Sequence, residues 1–164
     1  MHRLHQAHLR EMTPEPDLVA IRDAVAQHLT RTAGRVGIDQ AESTPWECAA
    51  LTDALLLWVP QDPRVAQAAN SGRLFRRLVE SVGDDRPLAL AKAVVEVCTQ
   101  RQRQDPESIA VTMDLARAWS NTGRILRSWC PADAVQAHEQ ALVLAEPRCR
   151  ARSQCGPGGC CRWR

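Results

Sequence analysis

Apolar residues recur along most of this chain at the three- and four-residue spacing of an amphipathic helix. The spacing is clearest over residues 105–146. One face of the first helix in that stretch carries Leu115, Trp119, Thr122 and Leu126. Asp105 is a suitable N-cap with Pro106 at the first helical position, so we expect a helix from there to about Trp129.

A second helix follows after a tight turn, so the two are expected to be antiparallel neighbours. Proline disfavours helical geometry in the residue before it, so the break falls at Cys130-Pro131, and the second helix should end before Pro147. Its small residues form one stripe, Ala134, Ala137 and Ala141. A glycine inside a helix costs about 1 kcal/mol, so we expect Gly123 to pack against this stripe, with an exposed kink as the alternative. The residues expected to be buried are Trp119, Leu126 and Leu142.

Further helices are predicted upstream from the same spacing. The first carries Leu18, Ile21, Val25 and Leu29 and should end at Gly34, which leaves residues 34–43 as a loop. A capping box at Thr44–Glu47 starts the next, which should end at Pro60. Residues 1–12 are predicted to form a short helix with His2, His5 and His8, which drift around its surface and are interpreted as a solvated end rather than a metal site.

Two more helix starts and one helix break are predicted between residues 60 and 105. Asp62-Pro63 begins a helix that should break or bend at Ser71-Gly72 and end at Gly83. The helix after Asp85-Arg86-Pro87 is apolar nearly all round, so it should be buried on two sides in the middle of the array. The abundance of Ala and Leu, with one Phe and no Tyr, favours helix over sheet. The sequence therefore predicts an all-α protein.

Several residues of the clearest pair resemble the tetratricopeptide repeat, namely Trp119, Asn121, Gly123, Ala134, Ala141 and Pro147. The connection between the two helices is one residue shorter than the family pattern, and His138 replaces an aromatic. The entry into the first helix is similar to longer-period repeats in arrays of bacterial signalling proteins. The resemblance implies stacked antiparallel helical hairpins that bind a peptide through the first helix of each pair. An irregular helical bundle is the alternative.

Length and charge indicate one domain with tails. We divide the 164 residues into N-terminal helices and loop (1–43), a helical-hairpin domain (44–147) and a disordered Cys-, Arg- and Gly-rich tail (148–164). The net charge is +2, but the tail contributes five arginines and no acid, so residues 1–147 carry −3. A global basic field for nucleic acid is therefore missing.

Composition and motifs also argue against several classes of protein. The chain has neither a signal peptide nor an apolar run long enough to span a membrane, so a cytoplasmic location is expected. Phosphate loops, GxSxG and HExxH are missing, so neither an enzyme nor a cofactor is expected. Cys155, Cys160 and Cys161 lack the paired spacing of a zinc site, and Cys48, Cys98 and Cys130 are expected to be small buried hydrophobes.

Binding is the function that remains. The residues flanking the core face of the first helix in the pair are Arg117, Ser120, Asn121, Arg124 and Arg127. Arginines bind carboxylates through two hydrogen bonds, which predicts a groove for an acidic or C-terminal peptide. The alternative is a solvated face paired with Asp114 or Glu139.

Two further hypotheses concern other partners. Nucleic acid could contact the Arg-rich tail and Trp163, although the charge of the body disfavours it. Alternatively, an apolar outer face with Val135 and Val143 would associate with a second copy as a homodimer, or with the rest of a longer protein.

Overall fold

The computed structural model describes residues 14–38 and 43–153, which contain helices and no strand. In chain order the helices are α1 Glu15–Ile38, α2 Pro45–Trp58, α3 Pro63–Ala69, α4 Gly72–Ser81, α5 Arg86–Gln104, α6 Ile109–Leu126 and α7 Pro131–Ser153. The predicted all-α class is confirmed. His2, His5, His8 and the cysteines at 155, 160 and 161 lie outside the described residues.

The helix starts were largely predictable from local capping. At α2 the Thr44 backbone N–H donates to Glu47 Oε2 at 2.7 Å, and the Glu47 backbone N–H donates to Thr44 Oγ1 at 3.4 Å, which confirms the capping box. The backbone N–H and the hydroxyl of Thr44 both donate to the Glu47 carboxylate, which stabilises its charged form and lowers the pKa of Glu47. Asp62 caps α3, and Ser71 caps α4 at the predicted break.

Two predicted boundaries in the first and last helices are wrong. Helix α1 continues past Gly34 to Ile38, because Ala33 and Val36 on its inner side are buried in the core and packing outweighs the cost of one glycine. Helix α7 continues past Pro147 to Ser153. A proline removes one hydrogen bond but keeps a helical φ, so good helix formers on both sides can carry a helix across it.

The predicted cap of α6 is also wrong. Asp105 closes α5, its backbone N–H donating to the carbonyl of Arg101, and Ser108 caps α6 by accepting from the Val111 N–H at 3.5 Å. Serine is as good an N-cap as aspartate. Because α5 extends to Gln104, Asp105 lies in the turn between the two helices and cannot cap α6. Helix α6 then ends at Leu126, three residues before the predicted end.

Helix α5 lies in the middle of the array, as its sequence predicted. It packs against α2, α3 and α4 on one side and against α6 on the other. Its buried residues are Pro87, Leu90, Ala91, Val94, Val95 and Cys98. They belong to one continuous core that extends from Ala26 in α1 to Ile125 in α6.

Helix α7 packs on α6 through small residues. Ala134 and Ala137 are buried there, and Trp119 and Leu126 of α6 are partly buried. Leu142 is 65% exposed, so its predicted burial is wrong. It follows the contact face by one residue, which turns it about 100° away from α6.

Gly123 faces α7, but its nearest neighbour is a histidine ring rather than the alanine stripe. A Cβ built on Gly123 would lie 2.9 Å from Cε1 and Nε2 of His138. That distance is shorter than van der Waals contact allows. The glycine therefore makes room for the imidazole of the following helix.

We predict that Gly123→Leu lowers the free energy of unfolding by about 1–3 kcal/mol through overpacking. His138→Ala in that background should recover part of the loss, because the vacated space accepts the leucine. Gly34 is the matched control, since it also lies inside a helix but has nothing within 4 Å of a built Cβ. Gly34→Leu should leave stability unchanged or raise it by up to about 1 kcal/mol. Urea denaturation measures the three variants against the wild type, and equal losses at both glycines would contradict the packing role of Gly123.

Candidate binding groove

A groove runs between α4 and α6 and consists of two adjoining depressions. Both include Arg76 of α4 and Arg124 of α6. The first, about 400 Å³, is also lined by Gln67, Asn70, Ser71, Gly72, Arg73 and Arg117. The second, about 290 Å³, is also lined by Phe75, Val79, Glu80, Ile125, Arg127 and Ser128. Residue numbers rise on both helices from the first depression to the second, so α4 and α6 run parallel along the groove.

The groove concentrates positive charge on a body that is otherwise acidic. Five arginines line it, Arg73, Arg76, Arg117, Arg124 and Arg127, against the single carboxylate of Glu80. Residues 1–147 as a whole carry −3. The excess of arginine is therefore a local property of this groove.

The five arginines of the groove differ in the hydrogen bonds and ion pairs that they form within the protein. Arg117 Nη1 lies 3.5 Å from Asp114 Oδ1, and Arg124 Nη1 donates to the Gly72 carbonyl at 3.5 Å. Within the described ranges, Arg73, Arg76 and Arg127 form no ion pair. Their donors face solvent and are available to an anionic ligand.

A buried pair of amides forms the floor of the groove. Asn121 is only 2% exposed, and its Nδ2 donates to Asn70 Oδ1 at 3.1 Å. Asn70 Nδ2 in turn donates to the backbone carbonyl of Asp114 at 2.7 Å. Asn70 immediately precedes the N-cap of α4, so this network fixes the start of α4 against the middle of α6.

Gly72 allows the two helices to approach at this point. A Cβ built there would lie 3.0 Å from Arg124 Nη1 and 3.1 Å from Asn121 Oδ1. These distances are tighter than most real contacts of a Cβ. The absence of a side chain therefore lets the Arg124 guanidinium lie over the N-terminus of α4.

The structure separates the five residues that the sequence analysis grouped. Arg117, Arg124 and Arg127 do line one groove, whereas Asn121 is buried beneath it and unavailable to a ligand. Ser120 does not line this groove but a separate depression of about 470 Å³ between α6 and α7, which Arg117 also borders. The alternative pairing with Asp114 applies to Arg117 alone.

The sequence analysis missed the contribution of α4. Arg73 and Arg76 stand three residues apart and therefore on one helical face, which is the signal that could have identified them. Their neighbour Arg77 has a structural role instead, because its Nη2 donates to the Ser43 carbonyl at 2.7 Å. Only the packing of α4 beside α6 distinguishes these roles.

Three of the cysteines are buried or partly buried. Burial, with a contribution from the charge of Asp114, raises the pKa of the Cys98 thiol to about 11, so it stays protonated at neutral pH. Cys48 is buried and Cys130 is partly buried. Across residues 14–38 and 43–153, three or more His, Cys, Asp or Glu side chains nowhere converge as metal ligands. Nor is any helix there long and apolar enough to cross a bilayer.

Comparison with known proteins gives no further guide. The chain matches no protein-family model, no curated protein and no solved structure. Its function must therefore be inferred from the groove itself.

We predict that Asn121→Ala lowers the free energy of unfolding by about 1–3 kcal/mol, because it leaves the buried Asn70 Oδ1 without a donor. Asn70→Ala should be strongly non-additive with it in a double-mutant cycle. Ser120→Ala, one residue away and only partly buried, should change stability by no more than about 0.5 kcal/mol. If Asn121→Ala unfolds at the wild-type urea concentration, the amide network does not hold α4 to α6.

Proposed function

We propose that this protein is a protein-interaction module that binds an acidic segment of a partner in the groove between α4 and α6. The observation that carries the proposal is the convergence of five arginines from two helices on one groove with a single carboxylate. Each guanidinium presents a planar fork of donors that matches a carboxylate. Three of the five form no ion pair among the described residues, so a ligand would meet them free.

An acidic protein segment fits the groove better than a nucleic acid does. A long polyanion would face the net charge of −3 on residues 1–147 as well as the groove, whereas a short segment mainly experiences the local arginines. The second depression also has an apolar floor, with Phe75 and Ile125 buried. Such a floor suits an amino-acid side chain.

The arrangement of the helices supports a tetratricopeptide-like reading of the chain. Helices α4 and α5, then α6 and α7, are consecutive pairs with short connections, and their first residues, Gly72 and Ile109, are 37 positions apart. The family period is about 34. The first helices of both pairs run parallel and line the groove, which is where the resemblance places a partner.

We predict that Arg73→Glu combined with Arg124→Glu weakens binding of a fluorescein-labelled, Glu-rich peptide by at least about tenfold, measured by anisotropy. Arg22→Glu is the matched control, since Arg22 is an exposed arginine of α1 that does not line the groove, and it should leave affinity unchanged. Affinity should also fall as salt rises, because the contacts are between exposed charges.

Three results would contradict this proposal. One is equal affinity of the wild type and the double variant. Another is equal binding of a Lys-rich peptide. The third is tighter binding of single-stranded DNA than of the acidic peptide at physiological salt, which would favour a nucleic-acid partner.

A second candidate function, self-association, is favoured by the outer face of α7. Val135, Leu142 and Val143 are 57%, 65% and 63% exposed. Large apolar side chains grouped on one helix are typical of surfaces that another protein covers. A second copy of the chain could cover this face about a two-fold axis.

We predict that sedimentation shows a dimer at micromolar concentration, and that Val135→Glu with Val143→Glu converts it to monomer. Leu142→Glu can be added without harm to the core, because Leu142 is exposed. Val19→Glu is the control, an equally exposed valine on α1. A wild type that sediments as a monomer would exclude self-association through α7.

A further inference from the structure

We propose that the groove selects its ligand by two side chains, one acidic and one apolar, placed three positions apart in a segment of extended polyproline II conformation. This inference rests on the proposed function and goes beyond it by defining the ligand sequence. It follows from the chemical difference between the two ends of the groove.

The first end is built for an anion. Four arginines line it, Arg73, Arg76, Arg117 and Arg124, and no carboxylate does. The N-terminus of α4 lies at this end, where Ser71 caps the Leu74 N–H and the helix dipole adds partial positive charge. An acidic side chain here meets donors from two helices.

The second end is built for an apolar group. Phe75 and Ile125 are 1% and 2% exposed and form its floor, and Val79 is partly buried beside them. Arg76, Arg124 and Arg127 also border this end, but Glu80 offsets one of them, so the excess positive charge here is half that of the first end, which has four arginines and no carboxylate. The volume of about 290 Å³ accommodates a leucine or phenylalanine side chain.

The length of α4 sets the spacing between the two ends. Gly72 marks the anionic end and Val79 the apolar end, and seven residues of helix at about 1.5 Å each separate them by about 10 Å. A polyproline II segment advances about 3.1 Å per residue and brings every third side chain to the same face, so two side chains three positions apart cover about the same distance and both face the groove. Guanidinium donors along the groove can also bind the backbone carbonyls of an extended segment.

The test uses short fluorescein-labelled peptides on a Gly–Ser background, each with two adjacent glutamates and one leucine. The leucine stands one, three or seven positions from the nearer glutamate, on its N-terminal or its C-terminal side, and a further peptide replaces leucine with serine. We expect one of the two peptides with the three-residue spacing to bind at least about tenfold more tightly than the serine peptide and than every other spacing. Val79→Ser should remove this preference but keep the dependence on glutamate, whereas Val19→Ser on α1 should keep both.

The outcomes separate this inference from the proposed function. Equal affinity for all glutamate peptides would overturn the two-part selection while leaving acidic binding in place. A preference for the seven-residue spacing would also overturn it, because that spacing fits a helical ligand. Failure of every peptide to bind better than a Lys-containing one would overturn the proposed function itself.

Discussion

The burial of α5 on two sides is the constraint on which the rest of the structure depends. Leu90 and Val94 are completely buried, and burying such side chains contributes about 1.5–3 kcal/mol each. Because α5 packs against α2, α3 and α4 on one side and α6 on the other, it joins the N-terminal helices to the last pair. Without that apolar helix, α4 and α6 would have no common support, and the groove between them would not exist.

Polar contacts then fix the detail that apolar packing leaves free. Apolar side chains of two packed helices interdigitate in several alternative registers, but the Asn70–Asn121 pair permits one of them. A shift by a single residue would bury an amide without a partner, which is costly. The same register places Gly72 under Arg124. The buried Asn70–Asn121 network thus determines the relative positions of the guanidinium groups that α4 and α6 contribute to the groove.

Much of this fold was predictable because its signals are local. Proline and capping residues at Thr44, Asp62 and Ser71 specify helix starts through their own backbone geometry. The errors arose where contacts between residues distant in the chain determine where a helix ends. Gly34 lies within α1 because the neighbouring residues of that helix pack in the core. For the site, helical spacing identified the arginines of α6 and could have identified Arg73 and Arg76 of α4, but it could not show that the two helices line one groove. The packing of α4 against α6 joins residues about fifty positions apart in the chain, and no local sequence pattern on either helix indicates it. The burial of Asn121 could not be predicted for the same reason, since its partner Asn70 lies 51 residues away.

Alkylation of the Cys98 thiol can measure how often the central helix α5 separates from its neighbours. It lies on α5, is 2% exposed and has a pKa of about 11, so an alkylating reagent can reach its thiolate only when α5 separates from its neighbours. Cys130, partly buried in the turn before α7, has no such protection. The labelling rate of Cys98 therefore reports the free energy of opening the central helix under native conditions, and no cysteine has to be engineered for the measurement.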